Sequence, residues 1–266
     1  MFDPHSYFDL SDFPCADIFS GTDKVWTALV RLREYMVANV LPLVDDLAAF
    51  NGIPLTQAMI YHDGRLQQAT GCSITYGDTT RGGLEVLRDG QLLPGASVIM
   101  AGVTLIGSKI KIGRGVLIES GALVKEPALF GDNTEVRQGA YLRGNCLVGK
   151  RCVVGHATEV KHSIFLNDAK AGHFAYVGDS ILGGDSNLGA GTKMANLRFL
   201  PGNVNVRTQE GLVDSGLRKF GAILGDRVQT GCNSVTNPGT VIGLESILMP
   251  NTTAPSGYHY PRSVIR

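Results

Sequence analysis

Nothing in the sequence asks for an oxidising compartment. Its 266 residues include only five cysteines, Cys15, Cys72, Cys146, Cys152 and Cys232, odd in number, widely spread and without a CxxC pair. That usage reads as reduced thiols in a cytoplasmic protein. The opening MFDPHSYFDLSDF is acidic and has no apolar core, which argues against a secretory leader. No run approaches the roughly 18 apolar residues of a membrane span. Charge of one sign is absent as well: 24 Lys and Arg balance 24 Asp and Glu, which argues against a nucleic-acid partner. Aromatics are few, at 7%. What is plentiful is glycine, 34 residues, within a chain that is 44% hydrophobic. Such a chain can fill a core, and its makeup suits a fold of many tight corners around an aliphatic interior.

Apolar residues recur every six positions at Ile106, Ile112, Ile118, Val124, Phe130, Val136, Leu142, Val148, Val154 and Val160, with Met100 one step earlier. A helix needs a period near 3.6 and a common strand a period of two. A strict six predicts hexapeptide coils, three hexads to a turn. The series continues through Phe165, Ala171, Val177, Leu182, Leu188 and Met194, with two steps shortened to five. It vanishes over 195–221 and resumes at Leu224, Thr230, Thr236, Ile242 and Leu248. The fold class expected is therefore mainly β: a left-handed parallel β-helix over 100–253, interrupted by a long loop at 195–221. A loop of that length inside a compact domain is usually functional.

Before the coils, Ser20 to Asp23 reads as a capping box opening a helix, with Val25, Leu29, Leu32 and Met36 on one face. Pro42 interrupts it, residues 43–50 resume helically, and Asn51-Gly52 stops them. Residues 1–52 thus form an N-terminal α-helical segment that packs on the coils or on a neighbouring subunit, with Trp26 as an anchor. Residues 53–99 read as connecting short strands, with a turn at Asp89-Gly90, and 254–266 as a C-terminal tail.

Residues 18 apart occupy equivalent places on adjacent coils, about 4.8 Å apart. Arg143 and Lys161 form such a pair, and two stacked cations call for an anion between them. A bound phosphate or carboxylate would serve, and so would Glu159 or Asp168 of the chain itself. His156 and His173 also stack. A metal reading would need a third ligand, and since His162 falls on another face, a histidine from another subunit would have to provide it. No metal is expected. Tyr176, Asn187 and Asn196 follow His173 closely, and imidazole flanked by hydroxyl and amide groups suits a general base.

The run LRGNCLVGKRCVVGHATEVKHSIFLNDAKAGHFAYVGDSILGGDSNLGAGTKMANL resembles the acetyltransferase domain of the glucosamine-1-phosphate acetyltransferase/N-acetylglucosamine-1-phosphate uridyltransferase family. It is most similar to the archaeal-type sugar-1-phosphate nucleotidyltransferases, and RKFGAILGDRVQTGCNSVTNPGTVIG extends the likeness beyond the loop. HFAYVGDS followed by NLGAGTK carries the most specific part of it. The resemblance implies that His173 is the catalytic base. It implies that Arg143 and Lys161 hold the sugar and its 1-phosphate, that Tyr176, Asn187 and Asn196 orient the sugar, and that Lys219 reaches the same pocket. The Ala190 region and the Cys232 coil would line a groove for acetyl-CoA, the co-substrate. A homotrimer with sites between subunits is implied too. Two departures stand out. The family's tyrosine after the loop-start asparagine is Leu197, and no Gly-rich nucleotidyltransferase loop lies near the start, so uridyltransferase activity is not expected.

The activity implied is N-acetylation of an amino-sugar 1-phosphate, with glucosamine 1-phosphate foremost, feeding UDP-N-acetylglucosamine synthesis. A non-catalytic trimeric sugar-phosphate or sugar-nucleotide binder, or a partner of a separate nucleotidyltransferase, is the alternative. O-acetylation is a third reading, since hexapeptide coils serve many acceptors.

Overall fold

The computed structural model describes residues 2–40 and 50–266. The break expected at Pro42 and, apart from Phe50, the helical continuation over 43–50 lie outside those residues. From Ser97 onward the chain winds as a parallel β-solenoid of about nine turns. Each turn lays one short strand on each of three faces. Representative strands are Val153–His156 and Lys170–His173 on face one, Glu159–Lys161 and Tyr176–Gly178 on face two, and Ser163–Phe165 and Ile181–Leu182 on face three. The ladders are parallel and in register throughout, as in Tyr141↔Glu159 and Leu142↔Val160.

The hexad fixes this architecture because each inward residue stacks on its equivalent one turn away. On face one the column runs Ile99, Ile118, Val136, Val154, Ala171, Leu188, Thr230, Leu248 and Ile265, all buried. The first coil corrects two expectations. Leu105, not Ile106, pairs with Val124, and Ile99, not Met100, pairs with Ile118. One more residue is spent at the corner after Ile106, where the Glu126 carboxylate accepts the amides of Ser108 and Lys109. The far end also differs from expectation. Gly257–His259 and Val264–Ile265 pair with Thr240–Ile242 and Ile247–Leu248, so residues read as a tail carry the last rungs of the ladder.

Corners place non-glycine residues at positive φ, including Asn133, Asn145, Asp168, Asp179, Asp185, Asn233 and Asn251. Asn and Asp tolerate this left-handed region through their short polar side chains. His162 at 47° and Phe174 at 52° are bulkier exceptions. Elsewhere glycine is required by space: a Cβ on Gly155 would run into the backbone of Gly172 on the next turn.

Face three is apolar on its outer side as well. Leu129, Leu147, Ile164, Ile181, Ile223, Val241 and Tyr258 stack in register down the outside, and each buried aliphatic among them contributes about 1.5–3 kcal/mol. The N-terminal segment covers this strip and forms a second core with it. Its helix spans Thr27–Asn39, with Leu29, Leu32 and Met36 buried and Val25 buried just before it. The capping box at Ser20 does not form. The helix starts seven residues later, without a side-chain cap, because Thr22 turns the chain by accepting the Lys24 amide and bonding to the Thr27 hydroxyl. Trp26 is buried between Phe2, at 4.7 Å, and Phe220, at 5.8 Å.

The stretch 195–221 returns to the coil with the ladder intact, Ile181 pairing with Ile223. Within it Asn205–Thr208 and Gly211–Asp214 form an antiparallel hairpin. Val204, Val206 and Phe220 are buried in the second core, so this loop lies down on the molecule. At the other end, Met59–His62 and Arg65–Gln68 add antiparallel strands to Ser97–Ile99, closing the first coil. Leu84–Arg88 and Gln91–Leu92 turn through Asp89-Gly90, both at positive φ, as expected of that pair.

Candidate functional site

The candidate residues gather along the two edges of face two. At its leading edge, His156 and His173 are in register. The same ladder carries on upward: the Gly191 amide donates to the His173 carbonyl, and the Asn233 amide to the Ala190 carbonyl. His173, Ala190 and Cys232 therefore occupy one column on successive turns. Between the histidine strand and face two sits the strained Phe174, 56% exposed, with its ring 5.2 Å from that of His156 and 6.2 Å from that of His173. The His156 ring bonds the Gln138 carbonyl through Nδ1 at 3.0 Å. The His173 ring is exposed and has no hydrogen bond among the described residues.

At the trailing edge Lys125, Arg143 and Lys161 form a column of cations on three successive turns. The anions this stacking demands are supplied by the chain. Arg143 Nη1 donates to Glu159 Oε1 at 2.6 Å, which holds the guanidinium pKa above its usual value. Lys161 Nζ donates to Asp179 Oδ2 at 3.0 Å. Of the two carboxylates read from the sequence, Glu159 fills that place, whereas Asp168 pairs with Arg151. The rings complete the stack, since Lys125 and Arg143 lie 5.3 and 5.9 Å from the centre of Tyr141.

Asp179 is the residue that sequence reasoning missed. It accepts from Lys161 and, at 2.5 Å, from Asn196 Nδ2, joining two residues expected to share a site. Spacing alone obscures it: the shortened step makes Gly178 the register partner of Lys161 and puts Asp179 at the corner over His162. Tyr176 opens the same strand, paired with Glu159 and Lys193. Gly178 leaves room for it: a Cβ there would stand 2.6 Å from the Tyr176 hydroxyl and 2.7 Å from the Asn196 amide. Asp179, Asn196, Lys161 and Tyr176 thus form one cluster.

The two five-residue steps fall at one corner on consecutive turns, at His162 and Asp179. Beside that corner lies a cleft of about 620 Å³, lined by Arg143, Lys161, His162 and Asp179. His162 serves a structural contact there, its Nε2 donating to the Leu29 carbonyl at 2.9 Å, and burial lowers its pKa. Lys219 is exposed at the loop base, bridged to Leu197 beside Asn196. Asn187 stands apart, at the start of a face-one strand between Lys170 and Gln229. No three His, Cys, Asp or Glu side chains group as a metal site among the described residues, and no helix among them is long and apolar enough to cross a membrane.

The thiols separate cleanly. Burial pushes Cys146 and Cys152 up to about 12 and raises Cys15, while Cys232 is exposed. Iodoacetamide at pH 8 is expected to modify Cys232 first and to leave Cys146 and Cys152 untouched in the folded protein. Peptide mass mapping reads this directly, and early labelling of Cys146 would contradict the buried placement.

Residues 124–251 match the family described as "GMPPB C-terminal domain". The chain is 41% identical over 87 residues to a bifunctional sugar-1-phosphate nucleotidylyltransferase/acetyltransferase of Sulfurisphaera tokodaii. It is 42% identical over 90 residues to the bifunctional protein GlmU of Methanococcus vannielii. Each alignment covers 33% of this chain but only 22% and 21% of those proteins. An uncharacterized acetyltransferase, YaiX, of Escherichia coli O6:K15:H31 is 31% identical over 104 residues, covering 37% of this chain and 45% of its own. Over 124–251, which holds every candidate named from the sequence, the solenoid is similar to the GMPPB C-terminal domain, and the chain shares partial likeness with bifunctional sugar-1-phosphate nucleotidylyltransferase/acetyltransferases.

Proposed function

We propose that the protein is an acetyl-CoA-dependent N-acetyltransferase acting on an amino-sugar 1-phosphate, glucosamine 1-phosphate in the first place, in UDP-N-acetylglucosamine synthesis. The observation that carries this reading is the arrangement on face two. The His173–Ala190–Cys232 column runs along one edge and the Lys161–Asp179–Asn196 cluster along the other, with Tyr176 on the strand between them. The sugar-1-phosphate and acetyltransferase activities named for similar proteins support it.

In this reading the coenzyme lies along the Ala190–Cys232 column, and Arg143 and Lys161 meet the phosphate through N–H groups not used by Glu159 and Asp179. The substrate amine must be neutral to attack. His173 accepts the proton it sheds as the new N–C bond forms at the thioester carbonyl. The oxyanion is held by a fixed amide donor such as Asn196 or a backbone N–H. Collapse breaks the C–S bond, and coenzyme A leaves as the thiolate. A second copy of the chain, in a trimer, completes the site and orients the His173 ring, which makes no hydrogen bond among the described residues. Acetyl-CoA is then expected to protect Cys232 from alkylation.

The deciding measurement is coenzyme A release from acetyl-CoA with glucosamine 1-phosphate, followed by a thiol reagent. Steady turnover that requires the amino sugar supports the reading. Binding of the sugar phosphate with no release of coenzyme A would replace it with the binding-protein reading.

A further inference from the structure

The cleft beside Lys161 has one helical wall, outside the matched residues 124–251. That wall is the helix Thr27–Asn39, whose Arg33 and Val37 line it with Lys109, Arg143 and Lys161. Leu29, Arg33 and Val37 succeed one another at four-residue spacing and so form one stripe along the helix. Both ends of the stripe are tied to the coil. His162 Nε2 donates to the Leu29 carbonyl at 2.9 Å, and Lys109 Nζ to the Val37 carbonyl at 3.1 Å. The buried Leu32 and Met36 hold the adjoining side of the helix in the second core, with Leu29 at the boundary. Arg33 is therefore carried to the cleft by a docked element rather than by a loose tail.

The charges facing the cleft are unequal in how far they are spent. Its carboxylates are committed. Glu126 accepts the amides of Ser108 and Lys109 at 2.7 and 2.8 Å, and Asp179 accepts from Lys161 and Asn196. Arg143 faces Glu159, and Lys161 faces Asp179. His162 has given its N–H to Leu29. Arg33 alone among the cleft's cations makes no hydrogen bond or ion pair with the described residues. A guanidinium presents a planar fork that fits two oxygens of a phosphate at once, and a cleft of about 620 Å³ is in the range of small-ligand pockets.

We propose that Arg33 is a substrate-binding residue that grips the phosphate of the sugar phosphate from the N-terminal helix, so that this helix sets the preference for phosphorylated over unphosphorylated amino sugars. The proposal rests on the acetyltransferase reading for its substrate.

The test compares wild type with Arg33→Ala and Arg33→Lys in the coenzyme A release assay, using glucosamine 1-phosphate and glucosamine as acceptors. Arg33→Ala is expected to raise KM for the phosphorylated sugar about tenfold or more, with kcat and the KM for acetyl-CoA unchanged. Glucosamine itself should be used equally by both proteins, and Arg33→Lys should recover part of the loss. An unchanged KM for glucosamine 1-phosphate overturns the proposal, as does an equal loss with both acceptors. Arg33 is exposed, so matched melting curves are expected; an unstable alanine variant hands the decision to Arg33→Lys and Arg33→Gln. If wild type releases no coenzyme A, the acetyltransferase reading fails separately. Calorimetric titration of glucosamine 1-phosphate then decides. Binding weakened tenfold in Arg33→Ala supports the proposal, while equal binding, or none to wild type, overturns it.

Discussion

His173→Ala is expected to lower kcat for acetyl transfer by about 10²–10⁴-fold, the usual contribution of a positioned general base, with little change in KM for either substrate. The ring is exposed and carries no hydrogen bond among the described residues, so its removal should leave the melting temperature where it was. That separation makes the result interpretable, because a rate loss without a stability loss belongs to chemistry. Cys232→Ser should keep most of the turnover, since direct transfer needs no thiol nucleophile. If His173→Ala retained activity within threefold of wild type, the proton would have to leave by another route. His156, one turn away in the same column, would be the next to examine, although its Nδ1 already bonds the Gln138 carbonyl.

Trp26→Ala should cost about 3–5 kcal/mol of stability, the range for removing a large buried aromatic. The indole is 1% exposed and packs between Phe2 and Phe220. Phe220 is the residue at which the long loop rejoins the coil, its amide bonded to the Asn196 carbonyl. The void would therefore open under two things at once: the N-terminal helix that walls the cleft and the loop base that carries Lys219. Urea unfolding reads the loss as a lowered midpoint. A loss below about 1 kcal/mol would show that the segment is held elsewhere, for instance where Asp226 accepts the Asp9 amide and donates its own to the Tyr7 carbonyl.

The solenoid was legible because its code is local and strictly periodic. One inward residue per hexad names a strand, and the register printed in the ladders is the spacing read from the sequence. Where the count of residues per corner changed, the period misled: Ile106 fits the six but the extra residue after it puts Leu105 inside. The helix start failed for a similar reason, since a Ser-x-x-Asp pattern states a possibility that the turn at Thr22 forestalled. At the site, the repeat places Arg143 over Lys161 and His156 beside His173, but the shortened step takes Asp179 out of the Lys161 column and to the corner over His162. What no ruler on the coil can reach is Arg33, brought to the cleft across more than a hundred residues by the outward side chains of face three. That outer strip alternates with the core as any covered strand does; the sequence offered the N-terminal helix as a cover for the coils or for a neighbouring subunit, and the fold puts it on face three of its own chain.

A solenoid left to itself is nearly one-dimensional, each turn held only by the turns beside it. Here the N-terminal segment lies across turns from Leu129 to Tyr258, as a splint lies across a stack. The order of synthesis then runs against the order of need. The N-terminal segment leaves the ribosome before the coils and has its complete docking surface only when the turn that carries Tyr258 has been made. Until then the segment that will hold Arg33 has nowhere to dock in full, and the cleft it walls stays open on that side.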